Sequence, residues 1–394
     1  GAEISAFDPT TENIFVTSGD GLQVVDFSDP TNPTLTSQID ATTIQGTNFN
    51  NTEFTSVAVY TSGGASVVAA ALPNINPANE DDKTAPGDVL FFDGDGNFIT
   101  SFQVGPLPDM VTFVPGMDWL LVANEGESAG DENQPDAAPN PNGSVSIIDI
   151  GDGIVSTFDF SDPSITFDSL EAKGVRVNRN APTAAADLEP EYITVEGTTA
   201  FITLQENNAV AVIKDITSFS GFTVDDILPL ELKDHTLPFN KLDPSNRDSG
   251  INIQNLPVFG LAMPDAIASY EVGGVTYVVT ANEGDGRDVD ETRIGDYGES
   301  GEPALDDETL LFDDDMQRDE NLGRLKSSNV DGDIDGDGAI EKINVFGGRS
   351  FSIYDETGVL IYDSGDFFER QTAVEVPAIF NSDESDPAEF DDRS

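Results

Sequence analysis

A strand-pair unit recurs along this chain, and it constrains the fold more than any other feature. One copy runs Pro108–Glu127 (PDMVTFVPGMDWLLVANEGE), a second Pro190–Asn208 (PEYITVEGTTAFITLQENN) and a third Pro264–Gly286 (PDAIASYEVGGVTYVVTANEGDG). Each opens on proline and an acid (Asp109, Glu191, Asp265), passes through an apolar strand, a turn and a second strand, and closes on Glu125, Glu206 or Glu283. The two acids are 16, 15 and 18 residues apart in the three copies. Weaker copies begin near Glu3 and Glu53. A strand pair cannot bury both of its faces alone, so neighbouring units must stack or close into a ring. The expected fold is all-β, a β-propeller of antiparallel blades, about seven with the last incomplete, because a ring leaves few exposed edges. Stacked β-sandwiches are the alternative, but no Ser-, Pro- or Thr-rich linker separates the copies. Residues 1–394 therefore read as one domain with long acidic loops at about 73–88, 126–143 and 285–329.

Composition narrows the partners. Asp and Glu number 74 against 17 Lys and Arg, a net charge of -57. That charge repels nucleic acid and anionic membranes and attracts divalent cations. Adaptation to salty water would produce the same excess. There is no cysteine, so disulfides, thiolate metal sites and cysteine catalysis are excluded. The single histidine, His235, lies in a polar stretch, and no GxSxG elbow accompanies it. Any metal must be held by oxygen, which favours calcium, in one or several ions, or magnesium. No organic cofactor is expected. No apolar run reaches the roughly 18 residues needed to span a bilayer, so membrane insertion is not expected. The chain starts at Gly1 inside a strand-like segment. It reads as a processed, secreted protein whose export signal has been removed, placed outside the cell or on its surface.

Three sets of residues carry candidate chemistry. In Asn329–Phe346 (NVDGDIDGDGAIEKINVF), Asp331, Asp333, Asp335 and Asp337 alternate, and Gly332, Gly336 and Gly338 permit the tight turns. The segment matches the first half of an EF-hand loop, but position 12 is Lys342, with Glu341 at position 11. We read a calcium loop outside an EF-hand, because crowded carboxylates repel one another unless a cation neutralises them. A solvated acidic turn is the plain alternative. The second set is the repeat acids. In a propeller, equivalent positions share one face, so Asp109, Glu125, Glu191, Glu206, Asp265 and Glu283 would converge on an axial mouth suited to a metal or a cationic group. They would otherwise close their strands as turns. The third set is Arg287 and Arg349, two of ten arginines, whose planar guanidinium suits a phosphate or a carboxylate. Internal salt bridges are the alternative, and the acidic stretch Asp363–Glu369 would join the same site.

The stretches GAEISAFDP, LPDMVTFVPG, LLVANEGE, LEPEYI, QENNAVAV, PDAIASY, TANEGDGRD, GGRSFSIYDETG and YDSGDFFE span the chain from its first residues to its last part. In combination they resemble the choice-of-anchor I family of secreted bacterial domains, often labelled alkaline phosphatase-like. The resemblance implies a propeller. It also implies a further acidic stretch and a last blade beyond the terminal FDDRS. Two functions follow. The first is a non-catalytic, calcium-binding module of a cell surface, matrix or appendage, meeting other surface proteins or copies of itself. The second is a metal-dependent phosphoesterase, with calcium on the axial acids and Arg287 or Arg349 on the phosphoryl group.

Overall fold

The computed structural model describes residues 2–75, 83–127, 140–217, 219, 222–248, 250–287, 290–306 and 315–380. Four antiparallel blades follow one another along the chain. The first is β1 (Ala2–Asp8), β2 (Asn13–Ser18), β3 (Gly21–Asp26) and β4 (Thr34–Ile39). The second is β5 (Ser56–Ser62), β6 (Ala65–Asn74), β7 (Ala85–Asp93) and β8 (Phe98–Pro106). The third is β9 (Pro108–Phe113), β10 (Trp119–Asn124), β11 (Ser144–Asp149) and β12 (Ile154–Asp159). The fourth is β13 (Pro190–Glu196), β14 (Thr199–Leu204), β15 (Ala209–Ile213) and β16 (Asp226–Pro229). Short strands β17 (Lys233–Asp234) and β18 (Phe259–Gly260) precede β19 (Pro264–Val272) and β20 (Val275–Asn282), which open a fifth blade. An insertion then carries β21 (Glu291–Arg293), β22 (Ala304–Leu305), β23 (Lys326–Ser328), β24 (Ala339–Ile340) and β25 (Asn344–Val345). The fifth blade is completed by β26 (Ser350–Asp355) and β27 (Leu360–Asp363).

Alternation along the central strands explains how the blades stack. Successive side chains of a strand point to opposite faces. Phe92 accordingly packs with Phe15, Phe54 and Leu90 between the first two blades. Its neighbour Phe91 packs with Val111, Leu120 and Val122 between the second and third. Ile148 shares that layer, whereas Ile147 joins Leu121, Ile193 and Ile202 between the third and fourth. Phe201 faces the fifth blade with Val210, Ile267, Val278 and Tyr354. Each such side chain contributes about 1.5–3 kcal/mol by leaving water. Polar contacts set the same order. Ser66 Oγ donates to Asp8 Oδ1 at 2.7 Å, Val111 N to Ser56 Oγ at 3.2 Å, and Thr203 Oγ1 to the Asp265 carbonyl at 3.0 Å. The outermost β4 is exposed along nearly its whole length.

The described residues thus form a propeller-like row of five four-stranded blades, fewer than the seven expected. The reason lies between residues 230 and 350. There β17, β18, β25, β23 and β21 pair in that order as a separate mixed sheet with its own core of Leu242, Val258, Ile294, Leu322 and Ile343. Residues 291–293 and 326–328 of the expected 285–329 loop therefore belong to this sheet, whereas residues 76–82, 128–139, 288–289 and 307–314 of the three acidic loops lie outside the described residues. Ser350–Asp355 and Leu360–Asp363 form the outer half of the last blade. Helices are few: α1 (Phe167–Glu171), α2 (Ala184–Asp187) and α3 (Phe367–Glu375). No helix among the described residues is long and apolar enough to cross a membrane.

Candidate functional site

The repeat places its two acids side by side by a backbone device. Pro108 pairs with Asn124, Pro190 with Leu204 and Pro264 with Asn282, and each inner hairpin changes register next to its proline. The shift takes one or two residues after each proline out of the regular ladder, as a bulge does. Asp109, Glu191 and Asp265 occupy these irregular positions. The closing glutamates are tied back to the same corner, since Glu125 N donates to the Leu107 carbonyl at 2.9 Å and Glu283 N to that of Met263 at 3.1 Å. Leu107 and Met263 hold φ of 43° and 49°, a left-handed conformation that side chains rarely adopt. The asparagine before Glu125 and before Glu283 anchors the third strand of its blade. Asn124 Nδ2 reaches Ser146 Oγ at 3.0 Å, and Asn282 Nδ2 reaches Ser352 Oγ at 2.8 Å.

The axial acids converge in two groups. In the first, burial pushes Glu125 well above the usual carboxylate range, helped by the charges of Asp109, Glu127, Glu189 and Glu206. Burial does the same to Glu191, with Glu206, Glu125, Asp109 and Asp265 adding repulsion. Glu189, which the repeat does not single out, is raised to about 8 by burial, against the pull of Arg287. Glu206 is raised to about 7 by burial, again opposed by Arg287. The Gln205 amide, turned to suit its neighbours, donates to both oxygens of Glu191 at 2.9 and 3.1 Å. The second group lies under the fifth blade, in an open cleft of about 750 Å³ lined by Asp265, Glu283, Asp285, Arg349, Phe368 and Glu369. Burial raises Asp265, and a hydrogen bond shared with Glu283 offsets only part of that rise.

The two singled-out arginines have separate fates. Arg287 is an internal salt bridge: its Nε lies 2.8 Å from Glu189 Oε2, Nη2 donates to the Asp187 carbonyl at 2.8 Å, and Nη1 stands 3.4 Å from Asp187 Oδ1. Arg349, held at a φ of 47°, pairs with Glu369 on α3 at 3.1 Å, and its side chain keeps 34% of its exposure. Glu369 of the Asp363–Glu369 stretch thus joins Arg349, while Asp363 accepts from Ser350 Oγ and Ser352 Oγ at 2.7 Å each. The key cation of the interior is instead Arg176. It reaches Asp331 through Nε at 2.6 Å, Asp290 through Nη2 at 2.7 Å and the Glu206 carbonyl through Nη1 at 2.8 Å. His235 is buried, its Nδ1 2.6 Å from the Asn240 carbonyl, and burial holds it neutral by lowering it to about 4.

The acidic loop divides differently from its spacing. Asp333, Asp335, Asp337 and Glu341 bring carboxylate oxygens within 4.8 Å of one another, the one such group among the described residues. Asp331 is not part of it, because its carboxylate is engaged by Arg176 and by Ser328 Oγ at 2.7 Å. The amides of Gly336 and Gly338 donate to Asp333 at 2.6 and 2.9 Å, and that of Ile334 to Glu341 at 2.6 Å. These bonds hold the carboxylates in a fixed turn.

Over residues 3–394, almost the full length, the chain matches the choice-of-anchor I domain. It belongs to that family. Among curated proteins, this choice-of-anchor I domain is 33% identical over 180 residues to the mesenchyme-specific cell surface glycoprotein of Strongylocentrotus purpuratus. The match takes in 40% of the chain but only 23% of that relative's length. Among solved structures, the major Malassezia sympodialis allergen Mala s 1 aligns at a TM-score of 0.40 and 13% identity, covering 71% of each chain. A functionally unknown protein from Desulfotomaculum acetoxidans aligns at 0.39 and 12%, covering 91% of this chain and 84% of its own. The blade assignment rests on the sheets themselves.

Proposed function

We propose that this choice-of-anchor I domain is a non-catalytic, calcium-stiffened propeller module displayed at a cell surface, in a matrix or on an appendage. The convergence of Asp333, Asp335, Asp337 and Glu341 on one small volume carries the calcium reading. Calcium takes six to eight oxygens at about 2.3–2.6 Å, so carboxylates within one such shell of each other suit it. The surface placement draws its support from family membership and from the name of the sea-urchin relative. Phosphoester hydrolysis is the weaker reading. Arg287 is committed to Asp187 and Glu189, which leaves only the half-exposed Arg349, beside Glu283, to meet a phosphoryl group.

The test is thermal unfolding of the intact protein with calcium and after chelation. A ligand that binds only the folded state adds about 2.7 kcal/mol at a hundredfold excess over Kd, so the midpoint should fall by about 3 °C without it. A midpoint indifferent to chelator would refute the calcium part of the proposal.

A further inference from the structure

The carboxylates around Glu206 outnumber the cations that face them. Arg287 is shared by Asp187, Glu189 and Asp290, and Arg176 by Asp290 and Asp331. Among the described residues, Glu125, Glu191 and Glu206 form no ion pair within 4.0 Å. Yet Glu189, Glu191 and Glu206 are each at least nine-tenths buried, at 5%, 8% and 7% exposure. Glu206 is the hub, because Glu125, Glu189 and Glu191 all feel its charge. Its Oε2 is in the interior with no hydrogen-bond partner. A bare carboxylate oxygen at such a place costs free energy that water no longer offsets.

We propose that Glu206, through its bare oxygen and with Glu125, Glu189 and Glu191 as its acidic neighbours, binds a calcium ion inside the mouth, at a site separate from the acidic loop. Hard oxygen donors and an excess of negative charge fit a divalent cation of that class. The four carboxylates stand farther apart than those of the loop. Glu206 is therefore the direct ligand, and water completes the reach to some of the others, as calcium sites commonly allow. Glu125 follows β10 of the third blade, whereas Glu189, Glu191 and Glu206 flank the inner hairpin of the fourth. The ion would lock these two blades together at the axis. The segment before β11 supports this closeness, because a side chain at Gly143 would run into both the Leu188 and the Glu125 carbonyls.

The experiment counts tight calcium sites on the intact protein at pH 8 and high salt, by competition with a calcium-sensitive dye. It uses a background in which Asp333→Asn, Asp335→Asn and Asp337→Asn have removed the loop site. One ion should remain, and adding Glu206→Gln should weaken it at least tenfold with circular dichroism unchanged. Should that variant misfold, Glu125→Gln, on the partly exposed rim, should weaken the same ion several-fold. A folded loop variant that binds no calcium would overturn the proposal, as would an ion retained with unchanged affinity in a folded Glu206→Gln or, failing that, in Glu125→Gln; either result would show that protons neutralise the mouth. If the unmodified protein binds one ion and the loop variant still binds one, the loop reading fails while the mouth site stands.

Discussion

Asp333, Asp335 and Asp337 stand in solvent and fold their loop around amide hydrogen bonds, whereas Glu189, Glu191 and Glu206 are buried between blades with two arginines nearby. Both groups are dense with carboxylate, and they arise from different sequence patterns. The loop is local, with its acids two residues apart. The mouth is assembled from residues up to 81 positions apart, beside register shifts in the inner hairpins of the third, fourth and fifth blades. Exposure changes what charge does. In the loop, water screens repulsion and a misplaced carboxylate costs little. In the mouth, each carboxylate has given up its water, so the surrounding cations and donors decide stability.

The largest expected effect tests the buried side of this contrast. Arg176→Met removes the cation from Asp290, which is fully buried, and from Asp331, and breaks the bond to the Glu206 carbonyl. Breaking one side of a buried ion pair costs about 3–5 kcal/mol. Urea unfolding should show that loss, with the mixed sheet of β17, β18, β25, β23 and β21 released early, because Arg176 ties Asp290 and Asp331 beside that sheet to the Glu206 carbonyl after β14. A loss under about 1 kcal/mol would mean that the mouth is as well hydrated as the loop.

A smaller effect is in pH. With calcium chelated, Glu189 at about 8, Glu206 at about 7 and Asp187 at about 6 all lie above their ordinary values of 4.5, 4.5 and 3.8. Between those limits the folded state holds protons that the unfolded chain has released. Stability contributed by these groups is therefore full below about pH 4 and lost as the pH rises to 8. Denaturant midpoints measured in chelator from pH 5 to 8 should decline. Calcium should flatten that decline, and a flat profile without calcium would contradict the buried, underpaired mouth.

Much of this arrangement is legible in the residues alone. The Pro-acid opening and the Glu closing mark the two ends of one inner hairpin, so the repeat reveals the blades and the acids that converge. The blade number is not legible, because the mixed sheet drawn from the segments before β19 and after β20 is built of strands two or three residues long that carry no periodic signal. The ion network is not legible either. Arg176 meets Asp290 across 114 positions and Arg287 meets Glu189 across 98, and no local pattern links them. Glu189 had one available signal, its place directly before the Pro190-Glu191 motif. Asp331 fits the loop spacing equally well, and only the third dimension assigns it to Arg176.

The smallest expected effect belongs to the loop, and it separates two ways in which acids serve a fold. Asp335→Asn removes one charge from the group of four but keeps an oxygen to accept the Asp337 amide 3.1 Å away. The turn should survive. In chelator the midpoint should move by no more than about 0.5 kcal/mol, as for other exposed sites, and upward if relief of repulsion dominates. In calcium the same variant should lose part of the ion's contribution, because a ligand charge is gone. The difference between the two conditions is the measurement. If Asp335→Asn costs the chelated protein as much as Arg176→Met does, the loop is a structural element in its own right. If it costs nothing in either condition, the loop is a solvated turn, and any calcium dependence of the protein belongs to the mouth.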